Sequence, residues 1–462
     1  MRHTHWYRDS VIYQIYPRSF CDSNGDGIGD IQGIISKIDY LKDLGVNCVW
    51  LSPVYDSPQK DNGYDVSDYY NIYPPFGTME DFKEMLDKMH AAGIRVIMDL
   101  VVNHTSSEHP WFKDAISNPD SPYRDFYIIR HGRREGLLPP TNWTGFFGGS
   151  TWERIHGTND YYLHLFSKDQ PDLNWDSKPM RTQIVKMIKF WLDMGVDGFR
   201  CDVINVISKN QKFRNGAPAL FLRGRKNFIN GPRIHEYMRR LYKYAFRNYD
   251  CTIIGETALS NVSDARLFTT TRRKELNMIF NFEHTDTDNY FGVKYLYRKF
   301  KLKRFKERIA KYQYGLADVG WNSLFIENHD QRRSVGRFGT TDSPEYKNYS
   351  SKMLALCYFM LRGTPFIYQG QELGMTNIGS KDLNDYQDVE LMRMHKMAKK
   401  HPFIKMLIGK HMYDVSRDNA RTPMQWDSSE YAGFSTAEPW LKVNPDKDKV
   451  NAKAEMRDHD SL

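Results

Sequence analysis

The chain has 462 residues, 40% of them hydrophobic and 14% aromatic, which is enough apolar material for a large core and excludes global disorder. Its net charge of +8 comes with no nucleic-acid-binding motif, so a nucleic-acid partner is not expected. No apolar run is long enough to span a membrane and no signal-like core opens the chain, so no membrane partner is expected either.

Eight short apolar or aromatic runs read as strands buried on both faces: 11–16, 47–52, 94–101, 198–203, 252–256, 278–282, 323–327 and 365–369. Helical patterns lie between several of them, for example 79–92 behind the Gly77-Thr78 start signal. Eight strands alternating with helices predict an α/β fold closed as a (β/α)8 barrel.

Between the first two strands lies Asp22-Ser-Asn24-Gly-Asp26-Gly-Ile28-Gly-Asp30, with oxygen ligands at every second residue. This spacing suits one structural Ca2+ or Mg2+, although Gly33 stands where an EF-hand needs its bidentate Glu. A Gly/Asp turn without metal is the alternative. The third and fourth strands are about a hundred residues apart, too far for a structureless loop. We therefore divide the chain into a barrel over 1–105 and 177–462 and an inserted subdomain over 106–176, emerging above the strand ends. The basic run 298–306 reads as a solvated amphipathic helix with Phe300 and Phe305 turned inward. The five cysteines are odd in number and lack zinc-site spacing; they predict reduced, buried thiols and a cytoplasmic compartment.

Polar clusters close four of the strands. Asp202 follows Arg200 by two residues, so both side chains share a face and the guanidinium should keep Asp202 ionised, as a nucleophile requires. A strand-end salt bridge would look the same. Glu256 ends a run behind Gly255, where a carboxyl in a partly apolar pocket can donate a proton; a helix N-cap acid is the bland alternative. His329 and Asp330 follow the seventh run, and Asn103 and His104 the third. Two carboxyls facing across a bond at the C-terminal rim of a barrel are what glycoside hydrolysis needs.

With these motifs the chain resembles the α-amylase superfamily of retaining glycoside hydrolases, in particular its oligo-1,6-glucosidase branch. The resemblance runs from Trp6 to the end. It is carried by 11–20, Asp61-Asn-Gly-Tyr64, 99–106, Gln170-Pro-Asp-Leu-Asn-Trp175, 198–205, Gly255-Glu256, Asn328-His-Asp330 and Arg417-Asp-Asn-Ala-Arg-Thr-Pro-Met-Gln-Trp426. It implies Asp202 as nucleophile, Glu256 as general acid and then base, and Asp330 as the third carboxylate. It further implies that Asp61, Tyr64, His104, Phe166, Gln170, Arg200, His329 and Arg421 line a pocket for a terminal glucose, and that Asp22, Asn24, Asp26, Ile28 (through its carbonyl) and Asp30 hold the cation. A monomer acting on small oligosaccharides is the expected form.

Val203, directly after the nucleophile, is similar to the residue found in enzymes for α-1,6 bonds. Relatives acting on trehalose 6-phosphate, and on sucrose by isomerisation, also carry Val. Three departures from the family pattern stand out. Arg332-Arg333 replace the usual Pro and could depress Asp330 or reach an anionic leaving group. Thr257-Ala258 replace Met-Pro. Relatives continue past the position of Leu462 with a last barrel helix and a β-sandwich, so the β-sandwich is expected to be absent here. Uncovered apolar surface and marginal stability are expected to follow.

Overall fold

The computed structural model describes residues 4–462 except 220, 291 and 410. Eight parallel strands form one sheet: β1 (Ile12–Ile15), β2 (Cys48–Leu51), β3 (Arg95–Leu100), β4 (Gly198–Cys201), β5 (Thr252–Glu256), β6 (Met278–Phe280), β7 (Ser323–Leu324) and β8 (Thr364–Tyr368). Each pairs with its sequence neighbour except β6 with β7, and β8 returns to β1. A parallel bridge between Ile279 and Asn322 joins the two remaining edges, so the sheet closes.

Side chains along the strands alternate between two environments, as a period of two demands. Ile12, Cys48, Trp50, Ile97, Ile254, Met278, Phe280 and Phe366 fill the barrel axis as one cluster. Their neighbours Tyr13, Val49, Val96, Met98, Phe199 and Ile253 face the surrounding helices. Full burial of such side chains contributes about 1.5–3 kcal/mol each. Cys201 belongs to the outer set and is fully buried, so it is packing. The same alternation carries Asp99 and Arg200 into the axis at the C-terminal end.

Helices run between the strands as expected. Met79–Ala91 starts at a Thr78–Asp81 capping box, and Lys178–Met194 ends at Gly195, whose φ of 114° lies in the left-handed region. The basic run enters helix Leu302–Gly315, with Phe305 buried against Leu324, Ile326 and Phe338 and the lysines outside. The chain between β3 and helix Lys178–Met194 carries a three-stranded antiparallel sheet, ordered Ile129–His131, Asp160–Leu163, Trp152–Arg154. Its apolar face, with Trp143, Trp152 and Leu163, packs on Val203, Val206, Leu222 and Phe228 from the loop after β4. The insertion thus shares its core with the barrel rim.

Cys21, Cys48 and Cys201 are buried and Cys251 is half-buried, whereas Cys357 is exposed on helix Pro344–Phe359. The expectation of buried thiols therefore fails for Cys357. On that helix Tyr346, Tyr349, Met353 and Leu356, three or four residues apart, are all more than half exposed. Among the described residues, no helix is long and apolar enough to cross a membrane.

Candidate active site

The site grows out of strand register. Arg200 on β4 stands level with Asp99 on β3 and Ile254 on β5. Two residues further up, Asp202 and Glu256 reach the rim side by side. The Arg200 guanidinium, 1% exposed, ties all three acids together. Its Nη1 donates to Asp99 Oδ1 at 2.6 Å and to Asp202 Oδ1 at 2.8 Å, and its Nη2 donates to Glu256 Oε2. Two carboxyls on one guanidinium are held close together, as a double-displacement site requires.

Sharing changes the electrostatics from the sequence expectation. Burial pushes the Asp202 carboxyl up; Arg200 opposes this, but Glu256 and Asp99 add to the rise. Burial likewise raises Asp99 to about 6. One cation is thus divided among three acids, and the Asp202 carboxyl is held above its ordinary value despite Arg200.

Asp330 follows β7 on a loop whose Asn328 Oδ1 accepts from the Asp330 N–H at 2.9 Å. Arg421 donates to Asp330 Oδ1 at 2.7 Å and to the His329 carbonyl at 2.9 Å. Burial alone would raise Asp330, but His329, Arg421 and Arg417 hold it well below the usual carboxylate range. Burial drives His329 itself down to about 3, so near neutral pH the two guanidiniums carry this effect. Asp330 is thus held ionised beside an Asp202 carboxyl that is pushed the other way.

The backbone is strained at one point. Val203, next to Asp202, has φ 34° and ψ 40°, a left-handed conformation that costs a β-branched residue about 1–3 kcal/mol. Its N–H donates to Glu256 Oε2 at 3.3 Å, and its side chain is buried against the inserted sheet.

A cavity of about 270 Å³ opens over the acids. Asp61, Tyr64, His104, Phe166, Gln170, Asp202, Glu256 and Asp330 line it. Arg200, His329 and Arg421, which the resemblance put in the wall, stand behind it at 0–1% exposure and orient those that reach it. Arg417, missed as a lining residue, reaches both Asp61 at 3.3 Å and Asp388 at 2.9 Å and stacks on Phe147. The signal was present: Arg417 and Arg421 are spaced i, i+4 and so share a helical face. The inner end is formed by Asp61, Tyr64, His104 and Gln170, all buried. The outer end carries Asp286, Lys294, Tyr295 and Glu390, which no sequence motif marked.

The Arg332-Arg333 expectation is corrected. Arg332 is turned onto Asp288, and Arg333 is buried on Glu327 at 3.0 Å and the Gln369 carbonyl at 2.7 Å. Neither lines the cavity, and neither is what lowers Asp330.

In the early acidic loop the oxygens face inward onto their own backbone. Asp22 accepts from Gly25 and Gly27, Asn24 from Asp26, Asp26 from Ile28, and Asp30 from Ser23 and Gly33. Gly27 has φ 84°, and a Cβ there would stand 2.2 Å from the Glu438 carbonyl. Among the described residues, no three His, Cys, Asp or Glu side chains converge as a ready metal site.

Three strand-end carboxylates around one cavity in a closed parallel barrel define a barrel glycoside hydrolase. Residues 14–462 match the alpha-amylase catalytic domain, and the chain belongs to the alpha-amylase family. It is 50% identical over 461 residues to an oligo-1,6-glucosidase of Parageobacillus thermoglucosidasius, covering 99% of this chain and 81% of that one. It is 48% identical to an oligo-1,6-glucosidase of Bacillus cereus, covering 99% of this chain and 82% of that one. A trehalose-6-phosphate hydrolase of Bacillus licheniformis superposes with a TM-score of 0.92 at 45% identity, covering 99% of this chain and 81% of that one.

Proposed function

We propose that the chain is an exo-acting, retaining α-glucosidase that releases terminal α-1,6-linked glucose from isomaltose and short isomalto-oligosaccharides. The observation that carries this reading is the single guanidinium gripped by Asp202 and Glu256 at the floor of a cavity whose inner end is closed. In the general-acid role Glu256 must carry the proton as the reaction starts. Asp202 attacks the anomeric carbon while Glu256 protonates the departing glycosidic oxygen, and the leaving sugar exits. Glu256, now a carboxylate, takes a proton from water; the water's oxygen bonds the same carbon and frees Asp202. Ionised Asp330 stabilises the positive charge that develops on the ring. The five thiols, with no disulfide among the described residues, support a cytoplasmic location.

The outer end of the cavity favours a neutral leaving group. Lys294 is bound to Glu390 at 2.5 Å, and Asp286 lies in the same wall. A sugar phosphate would meet a paired cation and two acids. Glucose release from isomaltose, maltose, trehalose 6-phosphate and sucrose, with Glu256→Gln as control, tests the reading. Isomaltose turnover abolished in the control is expected. Turnover confined to trehalose 6-phosphate would instead assign the phosphorylated disaccharide.

We also propose that Asp22, Asn24, Asp26, Asp30 and the Ile28 carbonyl hold a calcium ion. Their donors are all oxygen, and Asp22 binds the Gly27 N–H as the first acid of a tight cation loop does. Calcium at about 100 times its dissociation constant adds about 2.7 kcal/mol, raising the melting temperature of chelator-treated protein by about 3 °C or more. Asp22→Ala should remove this rise. Identical melting curves with calcium and with chelator would refute the site.

A further inference from the structure

Lys209 lies on the loop leaving β4 and is fully buried. Its Nζ stands 2.6 Å from Asn103 Oδ1 and 2.7 Å from Asp172 Oδ2. An ammonium group has donors only, so it must face the oxygen of the Asn103 amide and not its nitrogen. The amide nitrogen therefore points the other way, 3.0 Å from His104 Nδ1 and 3.2 Å from Asp172 Oδ1. An NH2 group can only donate, so His104 Nδ1 accepts and carries no hydrogen. The neutral ring then keeps its proton on Nε2. That nitrogen lies 3.0 Å from the Tyr64 carbonyl, at the inner end of the cavity. Gln170 Nε2, 3.2 Å away, is itself a donor and directs its hydrogens to Asp61 Oδ2 at 3.1 Å and to the Tyr64 carbonyl at 3.3 Å.

We propose that Lys209 is a positioning residue that fixes the tautomer of His104, so that its Nε2–H binds the Tyr64 carbonyl and holds the inner end of the cavity in shape for the bound glucose. The last clause rests on the glucosidase reading; the tautomer does not. Burial brings the imidazole down to about 4; Lys209 acts in the same direction, while Asp172 and the Tyr64 carbonyl oppose it. The ring thus stays neutral through the working range, and its tautomer, not its charge, decides what it offers. The same lysine ties the inserted segment, through Asp172, to the end of β3.

The test begins with the whole wild-type chain, labelled with 15N-histidine and free of substrate. The His104 signals are assigned by their loss in His104→Gln. Protonation on Nε2 is expected; protonation on Nδ1 overturns the proposal. Lys209→Met alone would strand a buried carboxylate and could unfold the chain, so it is paired with Asp172→Asn, which removes both charges. This double variant should show mixed tautomers, and its KM for an aryl α-glucoside should rise about tenfold with kcat changed less than about threefold. In the His104→Gln background, whose amide cannot tautomerise, the same two substitutions should leave KM where His104→Gln puts it. A full tenfold rise in that background, or an unchanged tautomer in the folded double variant, overturns the proposal. Absence of turnover of the aryl glucoside by wild type would count against the glucosidase reading alone, and the tautomer result would stand.

Discussion

Azide is expected to give opposite anomers with the two carboxylate variants. Glu256→Ala should lower isomaltose turnover by about 10²–10⁴, because the leaving sugar then departs without a proton. An aryl α-glucoside, whose phenol leaves unaided, should still glucosylate Asp202. Azide, which needs no general base, can then enter from the face the aglycone left and yield α-glucosyl azide. In Asp202→Ala the nucleophile's place is empty. Azide can occupy it and attack the intact substrate from the opposite face, giving β-glucosyl azide while Glu256 still assists departure. Product anomers read by proton NMR decide the matter. A β product from Glu256→Ala and an α product from Asp202→Ala would exchange the roles. Unchanged isomaltose turnover in Asp202→Ala would sink the double-displacement reading.

Arg200→Gln should be the most damaging change that touches neither reacting carboxylate. The variant leaves Asp99, Asp202 and Glu256 together with no cation among them. Breaking a buried pair from one side costs about 3–5 kcal/mol, and losing the geometry of both carboxyls should lower kcat/KM by about 10³. The pH dependence distinguishes this from a general packing defect. In the wild type, burial raises Asp99 to about 6 and also raises Asp202, so the folded chain holds protons that the unfolded chain releases near 4. Stability linked to these groups is fully present below about 4 and is lost as pH rises through the folded values. Without Arg200 those values rise further, and the loss extends to higher pH. The gap in melting temperature between wild type and variant should therefore widen from pH 5.5 to pH 8. A constant or narrowing gap would show that the guanidinium is not what balances these acids.

All eight strands were legible because a two-faced apolar run is a local signal, and each ran within a few residues of its expected limits. Even β7, reduced to Ser323–Leu324, was marked by the longer run around it. The acids were legible because they end such runs. What the sequence concealed were partnerships made across distance. Arg200 and Asp202 are two residues apart, so their pairing was expected, but Asp99 and Glu256 reach the same guanidinium only through strand register. The expectation of a low Asp202 failed for that reason. Arg332 and Arg333 looked available beside Asp330, yet Arg332 is claimed by Asp288, 44 residues away, and Arg333 is turned onto Glu327 outside the cavity. Lys294 and Glu390, a pair almost a hundred residues apart, meet only because strand Val293–Tyr297 and helix Val389–Lys400 converge at the cavity.

The closed inner end of the cavity has a consequence for traffic. Asp61, Tyr64, His104 and Gln170 are buried and joined by the bonds of Gln170 to Asp61 and of Gln170 and His104 to the Tyr64 carbonyl, which wall off that side. The departing sugar, the incoming water and the freed glucose then share the opening beside Lys294 and Glu390. Events there must queue: water cannot reach the covalent intermediate until the first sugar has cleared the entrance, and another sugar waiting outside competes for that turn. Crowded syrup should therefore shift the enzyme from cutting chains toward rebuilding them, with the width of one doorway setting the balance.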